Sequence, residues 1–182
     1  MLTPDRKIAL CDYITRTAHK IVHSAGWDRA ASGGGWSAGK GGDFSINAPS
    51  PQVLERNSCL ISSDPKGDVL ELRFVVGLPA AGRNILGDKA IEILTMKLPD
   101  LVAQTVLWKA HDQGKLMEHI LCVEDQAFMR GKLREKGLVA FVGNGAVLPR
   151  ESGVSMSPMK GEDVVPFVSP PTLEVCLEYG LG

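Results

Sequence analysis

Apolar residues recur at three- and four-residue steps near the start of the chain: Leu10, Tyr13, Ile14, Ala18, Ile21, Val22 and Ala25. That spacing predicts an amphipathic helix over residues 6–25 with one buried stripe. On the opposite side lie Asp12, Arg16, His19, Lys20 and His23, a mostly basic face. Thr3-Pro4-Asp5 supplies its start, a small polar cap beside a proline.

The pattern then changes to short strands. Residues 43–47 read as one and stop at Ala48-Pro49-Ser50-Pro51. Residues 57–62 and 69–76 flank Ser63-Asp64-Pro65-Lys66-Gly67-Asp68, a turn sequence, and predict an antiparallel pair. In the second strand Leu70, Leu72, Phe74 and Val76 alternate with Glu71, Arg73 and Val75, so one face is buried. Helical spacing returns over 88–97, 99–110 and 112–136. Pro99 predicts a break, Asp112 an N-cap and Gly137 a C-terminal stop. Residues 138–142 are strand-like and Asn144-Gly145 predicts a tight hairpin turn into 146–148. Residues 149–171 have the Pro, Ser, Gly and Met content of a connector, and 172–178 begin one more strand. The sum is an α+β fold, a small antiparallel sheet packed with about four helices, with a long Gly-rich loop near the N-terminus.

That loop, residues 26–42, carries Trp27, Arg29, Trp36 and Lys40 among its glycines. Gly34-Gly35-Trp36-Ser37-Ala38-Gly39-Lys40 spells G-x-x-x-x-G-K, the letters of a phosphate-binding loop. The chemistry needs more: a Ser or Thr after Lys to hold Mg²⁺, a strand before and a helix after. Here Gly41 follows, and the flanks are a helix and a strand, so the expected reading is a glycine loop and not a nucleotide cradle. A third reading joins Arg29 and Lys40 with Trp27 and Trp36 as charge and stacking surfaces for single-stranded nucleic acid or a nucleotide, extended by Arg16 and Lys20. The alternatives are a solvated helix face and a Trp that covers the core.

Composition narrows the classes. A net charge of −1 gives the whole molecule no pull towards nucleic acid or membrane, so any basic patch is local. Cys11, Cys59, Cys122 and Cys176 form no C-x-x-C pair, which argues against a zinc site or a redox dithiol motif and for a reducing compartment. No apolar run reaches the roughly 20 residues a membrane span needs, and the first residues do not look like a signal peptide. The expected location is cytoplasmic or an organellar matrix. His19 and His23 share a helical face without a third metal ligand, and no Ser/His/Asp grouping or other self-sufficient active site is visible. No metal site is expected.

Several segments, in order, resemble the predicted ATPases of the ABC class: residues 6–13, 51–56, then Arg73-Phe74-Val75-Val76-Gly77-Leu78-Pro79-Ala80-Ala81-Gly82-Arg83-Asn84-Ile85-Leu86-Gly87, then 123–126, 136–154, and Val165-Pro166-Phe167-Val168-Ser169-Pro170-Pro171. They are spread along most of the chain. The resemblance implies the region that precedes the ATPase core, with the family's phosphate-binding loop beyond residue 182 and the strand from Thr172 leading into that core. In the Gly-rich loop the family tends to read G-S-G-K-S-G, where this chain has Ser37-Ala38-Gly39-Lys40-Gly41-Gly42. Walker A, signature and Walker B elements are absent on this reading.

The expectations are therefore an N-terminal accessory domain over 1–150, a linker over 151–171 and a truncated first core strand over 172–182. No catalytic residue and no enzyme activity are expected in this chain alone, and no cofactor, with ATP and Mg²⁺ entering only with the core. The resemblance implies docking on an ABC-type core. Through a relative at work in mitochondrial RNA editing it also implies RNA and a homodimer. Phosphate contact falls to Arg29, Lys40, Arg16, Lys20, Arg83 and Arg150, and stacking to Trp27 and Trp36. The alternative is an interaction or scaffold module, or a truncated product, with no ligand of its own.

Overall fold

The computed structural model describes residues 2–28, 42–81 and 83–177. The chain divides into two compact units, Met1–Ile120 and Leu121–Gly182.

The first unit is built on helix α1, Pro4–Ser24. The Thr3 hydroxyl accepts from the Arg6 N–H at 3.3 Å, so the first turn is capped, and Pro4 sits where a missing N–H costs nothing. Its far end closes on Gly26, which takes φ +68°. The Gly26 N–H donates to the His23 carbonyl and the Trp27 N–H to that of Val22, both at 3.0 Å, the paired bonds of a Schellman stop.

Three antiparallel two-stranded ladders follow in place of one sheet: β1 (Phe44–Ser45) with β4 (Val75–Val76), β2 (Cys59–Asp64) with β3 (Gly67–Leu72), and β5 (Ala80–Ala81) with β6 (Asn84–Ile85). In the β2–β3 hairpin Asp64 pairs with Gly67 and Cys59 with Leu72. The turn is thus Pro65-Lys66, tighter than the six-residue sequence signal. The alternation holds: 70, 72, 74 and 76 are half-buried, while 69, 71, 73 and 75 are exposed.

Helix α2 (Gly87–Glu92) runs through a π turn, Ile93–Lys97, into α3 (Leu98–Thr105). The break expected at Pro99 is absent. Pro99 lies in the first turn of α3, and the wider turn before it carries the Leu98 N–H back to the Ile93 carbonyl, five residues away. A π turn relieves the clash that a proline ring makes with the carbonyl four residues earlier. Helix α4, Gln113–Leu133, starts as expected on Asp112, whose Oδ1 accepts from the Lys115 N–H at 3.2 Å.

The core of the first unit joins Ala18 and Val22 of α1 to Phe44, Ile46, Ile93 and Leu101. Phe74 stacks on Phe44 with ring centres 5.1 Å apart, and Trp27 meets Phe44 edge-on at 6.1 Å. Burying side chains of this size stabilises by about 1.5–3 kcal/mol each, which holds α1 against strands too short to stand alone.

In the second unit α4 ends as α1 does. Gly137 takes φ +68°, its N–H reaching Arg134 and the Leu138 N–H reaching Leu133. Beyond it the strand expected over 138–142 does not form among the described residues. The Asn144-Gly145 turn does form, but its partner is distant: Gly145 N–H donates to Phe167 and Phe167 N–H to Ala146, both at 2.8 Å. Arg150 and Pro158 share an isolated antiparallel bridge. Residues 171–173 make a turn and 174–177 no strand, against the strand expected from Thr172.

Candidate functional site

Two features of the first unit bring polar side chains together: a buried charge cluster and an open groove.

The cluster centres on Asp12, whose side chain is fully buried. Sequence spacing places it on the solvent face of α1, and the structure corrects that. Arg16, one turn on, donates to both carboxylate oxygens, at 2.5 and 3.2 Å, and to the Ser50 carbonyl at 2.8 Å. His119 Nε2 lies 3.4 Å from the same carboxylate, and Arg56 Nε stands 4.0 Å away. Burial pushes the Asp12 carboxyl up, but His119 beside it and the hydrogen bonds and charge of Arg16 outweigh it and hold the group below its ordinary range. Arg16, expected at a phosphate, is thus committed to a buried carboxylate and to the loop carbonyls of residues 50 and 52.

The groove, about 700 Å³, opens beside this cluster along α1, α3 and the start of α4. Tyr13, Thr17, Lys20, Ile21 and Ser24, at three- and four-residue steps, form its α1 wall. Asp100 and Gln104 of α3 face it, tied by a 2.9 Å bond from Gln104 Nε2 to Asp100. His111, Asp112 and Lys115 complete the rim. His111 Nε2 donates to the Thr105 carbonyl at 2.8 Å, and its ring meets Tyr13 edge-on at 5.5 Å, so both rings are fixed in place. Lys20 is exposed, and Lys115, 76% exposed, lies 3.7 Å from Asp112. The lining carries two lysines against Asp100 and Asp112, a mixed surface and not a basic one.

Of the residues singled out in the sequence, the groove brings together Lys20 and Trp27. Trp27 also covers the core through Phe44, so the covering and the stacking readings describe two sides of one ring. Arg83 is exposed in the turn between β5 and β6. Arg150 is exposed in the second unit. Arg29, Trp36 and Lys40, with the G-x-x-x-x-G-K letters, lie outside the described residues. Sequence reasoning gave no site role to Tyr13, Asp100, Gln104, His111 or Lys115. Tyr13 was assigned to the buried stripe, and His111 and Lys115 flank the Asp112 cap, a position legible as a helix start but not as a rim. Among the described residues no three His, Cys, Asp or Glu side chains converge as a metal cage, and no helix is long and apolar enough to cross a membrane.

Comparison with known proteins extends this picture. The family model of the N-terminal part of ATPases of the ABC class matches residues 2–109. A P-loop domain model of the same class matches residues 112–180. No curated protein matches the chain. The P-loop match overturns the expectation that this chain lacks the core and is not an enzyme: it points to an ATPase. The expectation failed because it was tied to the letters of the phosphate loop, and residues 112–180 contain no G-x-x-x-x-G-K run.

Proposed function

The chain belongs to the ATPases of the ABC class, and on that premise we propose that its N-terminal part, with the first residues of the P-loop match, holds single-stranded nucleic acid, RNA first. The observation that supports this reading is the groove along α1, where Lys20 and Lys115 stand beside the rings of Trp27, Tyr13 and His111. Single strands are held by cations along the backbone and by aromatic faces on which bases stack, each stacked base contributing about 1–3 kcal/mol. Asp100 and Asp112 keep the groove from being a general anion trap, and Gln104 and the free ring nitrogen of His111 offer polar edges to a base. ATP and Mg²⁺ belong to the P-loop part, whose first residues, Asp112 and Lys115, already stand on the groove's rim. The groove would meet Mg²⁺ only on a nucleotide's own phosphates.

The test is binding of labelled single-stranded RNA and of ATP–Mg²⁺ to the purified chain across a salt series. Each phosphate neutralised on a single strand adds about −0.7 to the slope of log affinity against log salt. Replacing Lys20 and Lys115 together with Ala is expected to make that slope shallower by about 1.4. RNA binding with an unchanged slope would move the contact away from the groove. Binding of ATP–Mg²⁺ that is sensitive to these lysines, with no RNA binding, would replace the strand by a nucleotide.

A further inference from the structure

Cys11 lies one helical turn before Thr15, whose hydroxyl sits 3.3 Å from that of Ser58. That buried contact sets α1 against the beginning of β2. It brings Cys59, the residue after Ser58, onto the same cavity wall as Cys11. Both are free cysteines, Cys59 buried and Cys11 half-buried. Together they line a cavity of about 270 Å³ whose wall also carries Lys7, Glu55 and Arg56. The cavity lies apart from the groove, with no residue shared between the two linings.

Reactive cysteines are marked by partial exposure, a cationic neighbour and a resolving thiol within reach. Cys11 has all three. We propose that Cys11 and Cys59 form a modification site for small peroxides, with Cys11 oxidised first and Cys59 resolving it to a disulfide between α1 and β2. The Cys11 thiolate attacks one peroxide oxygen. An S–O bond forms, the O–O bond breaks, and hydroxide leaves and takes up the proton that Cys11 lost. Cys59 sulfur then attacks the Cys11 sulfenic acid. The S–S bond forms, the S–O bond breaks, and the departing hydroxyl leaves as water with the Cys59 proton. Two thiols and one hydrogen peroxide give one disulfide and two waters. In the disulfide the two sulfurs stand about 2.05 Å apart.

The electrostatics run the same way. Interaction with Cys59 holds the Cys11 thiol below its ordinary value, against burial and the Glu55 charge and with help from Lys7. The same interaction, and burial, push the Cys59 thiol up.

Cys122 and Cys176, both exposed, serve as internal comparators. The purified chain is treated with graded hydrogen peroxide, quenched, and mapped by peptide mass. A disulfide joining residues 11 and 59 is expected to form about tenfold faster than oxidation at either exposed thiol. In Cys59→Ser the Cys11 sulfenic acid is expected to accumulate and to be captured by dimedone. In Cys11→Ser, Cys59 is expected to stay reduced. Oxidation of Cys122 or Cys176 as fast as Cys11, or sulfenic acid on Cys11 that Cys59 never resolves, would overturn the proposal. The wild-type comparison decides this even if a variant folds poorly.

Discussion

Asp12 occupies a helix position that its sequence neighbours mark as solvent-facing, yet it is among the most buried side chains in the first unit. A buried carboxylate is tolerated only when paired, and breaking such a pair costs about 3 kcal/mol or more. Asp12→Asn, which leaves Arg16 and Arg56 without their anion, is therefore expected to lower stability by about 3 kcal/mol, read from a urea transition. An effect under about 0.5 kcal/mol would show the cluster to be surface-like. The pH dependence has a fixed sign. The folded-state pKa of Asp12 lies below its ordinary 3.8, so the folded protein binds fewer protons there than the unfolded chain. Its contribution is whole above that value and is lost as pH falls through the lower folded one, and the Asp12→Asn variant should lack that part of the acid transition. Single residues were only partly legible in advance. Lys20 and Trp27 were found because charge and ring type are properties of the residue itself. The burial of Asp12 was hidden because two of its partners, Arg56 and His119, are 44 or more positions away in the chain.

At the scale of elements, local rules served best where a helix starts or stops. The Asp112 cap and the Gly137 stop both stand where their residue types place them, because capping bonds span only a few residues. Gly137→Ala is expected to cost about 1 kcal/mol, since the left-handed conformation penalises a β-carbon even in the open space around it. Gly137→Asn should recover part of that loss, and equal midpoints for the two variants would mean that the stop carries no strain. Strands were less legible. Residues 138–142 have the apolar content of a strand but no partner ladder, while the Asn144-Gly145 turn pairs with Phe167, a choice no local signal encodes. Packing contributes where elements meet. Leu101, fully buried in the core with Ala18, Val22 and Phe44, is expected to cost about 3 kcal/mol when replaced by Ala.

Over the whole chain the two units differ in how they are held. The first has a continuous apolar core and two long-range polar clusters. The second leaves Val139 and Val154 almost fully exposed, and its residues 147–177 hold together by scattered turn bonds. Hydrogen exchange is expected to separate them, with amides in the middle of α1 protected about 100-fold more than those of 147–177. Similar protection in both would mean that the second unit has a core that its burial pattern does not reveal. Family membership was legible from ordered segments of sequence, because such segments keep their spacing. The P-loop relationship over residues 112–180 was not, because there it is carried by the stretch as a whole and not by the loop letters.

The π turn ahead of Pro99 has a consequence in angular phase. Ile93 and Leu101 are eight residues apart, which in an unbroken α-helix would set them about 80° from a common face. A turn closed five residues back advances by only about 82° per residue, which returns the two to within about 10° of each other. Both side chains then point into one core, at 2% and 0% exposure. Removing one residue from Ile93–Lys97 would tighten the turn to α geometry with that phase kept, but it would restore the proline clash. The segment can be shortened without rotating the helix only if Pro99 is replaced in the same step.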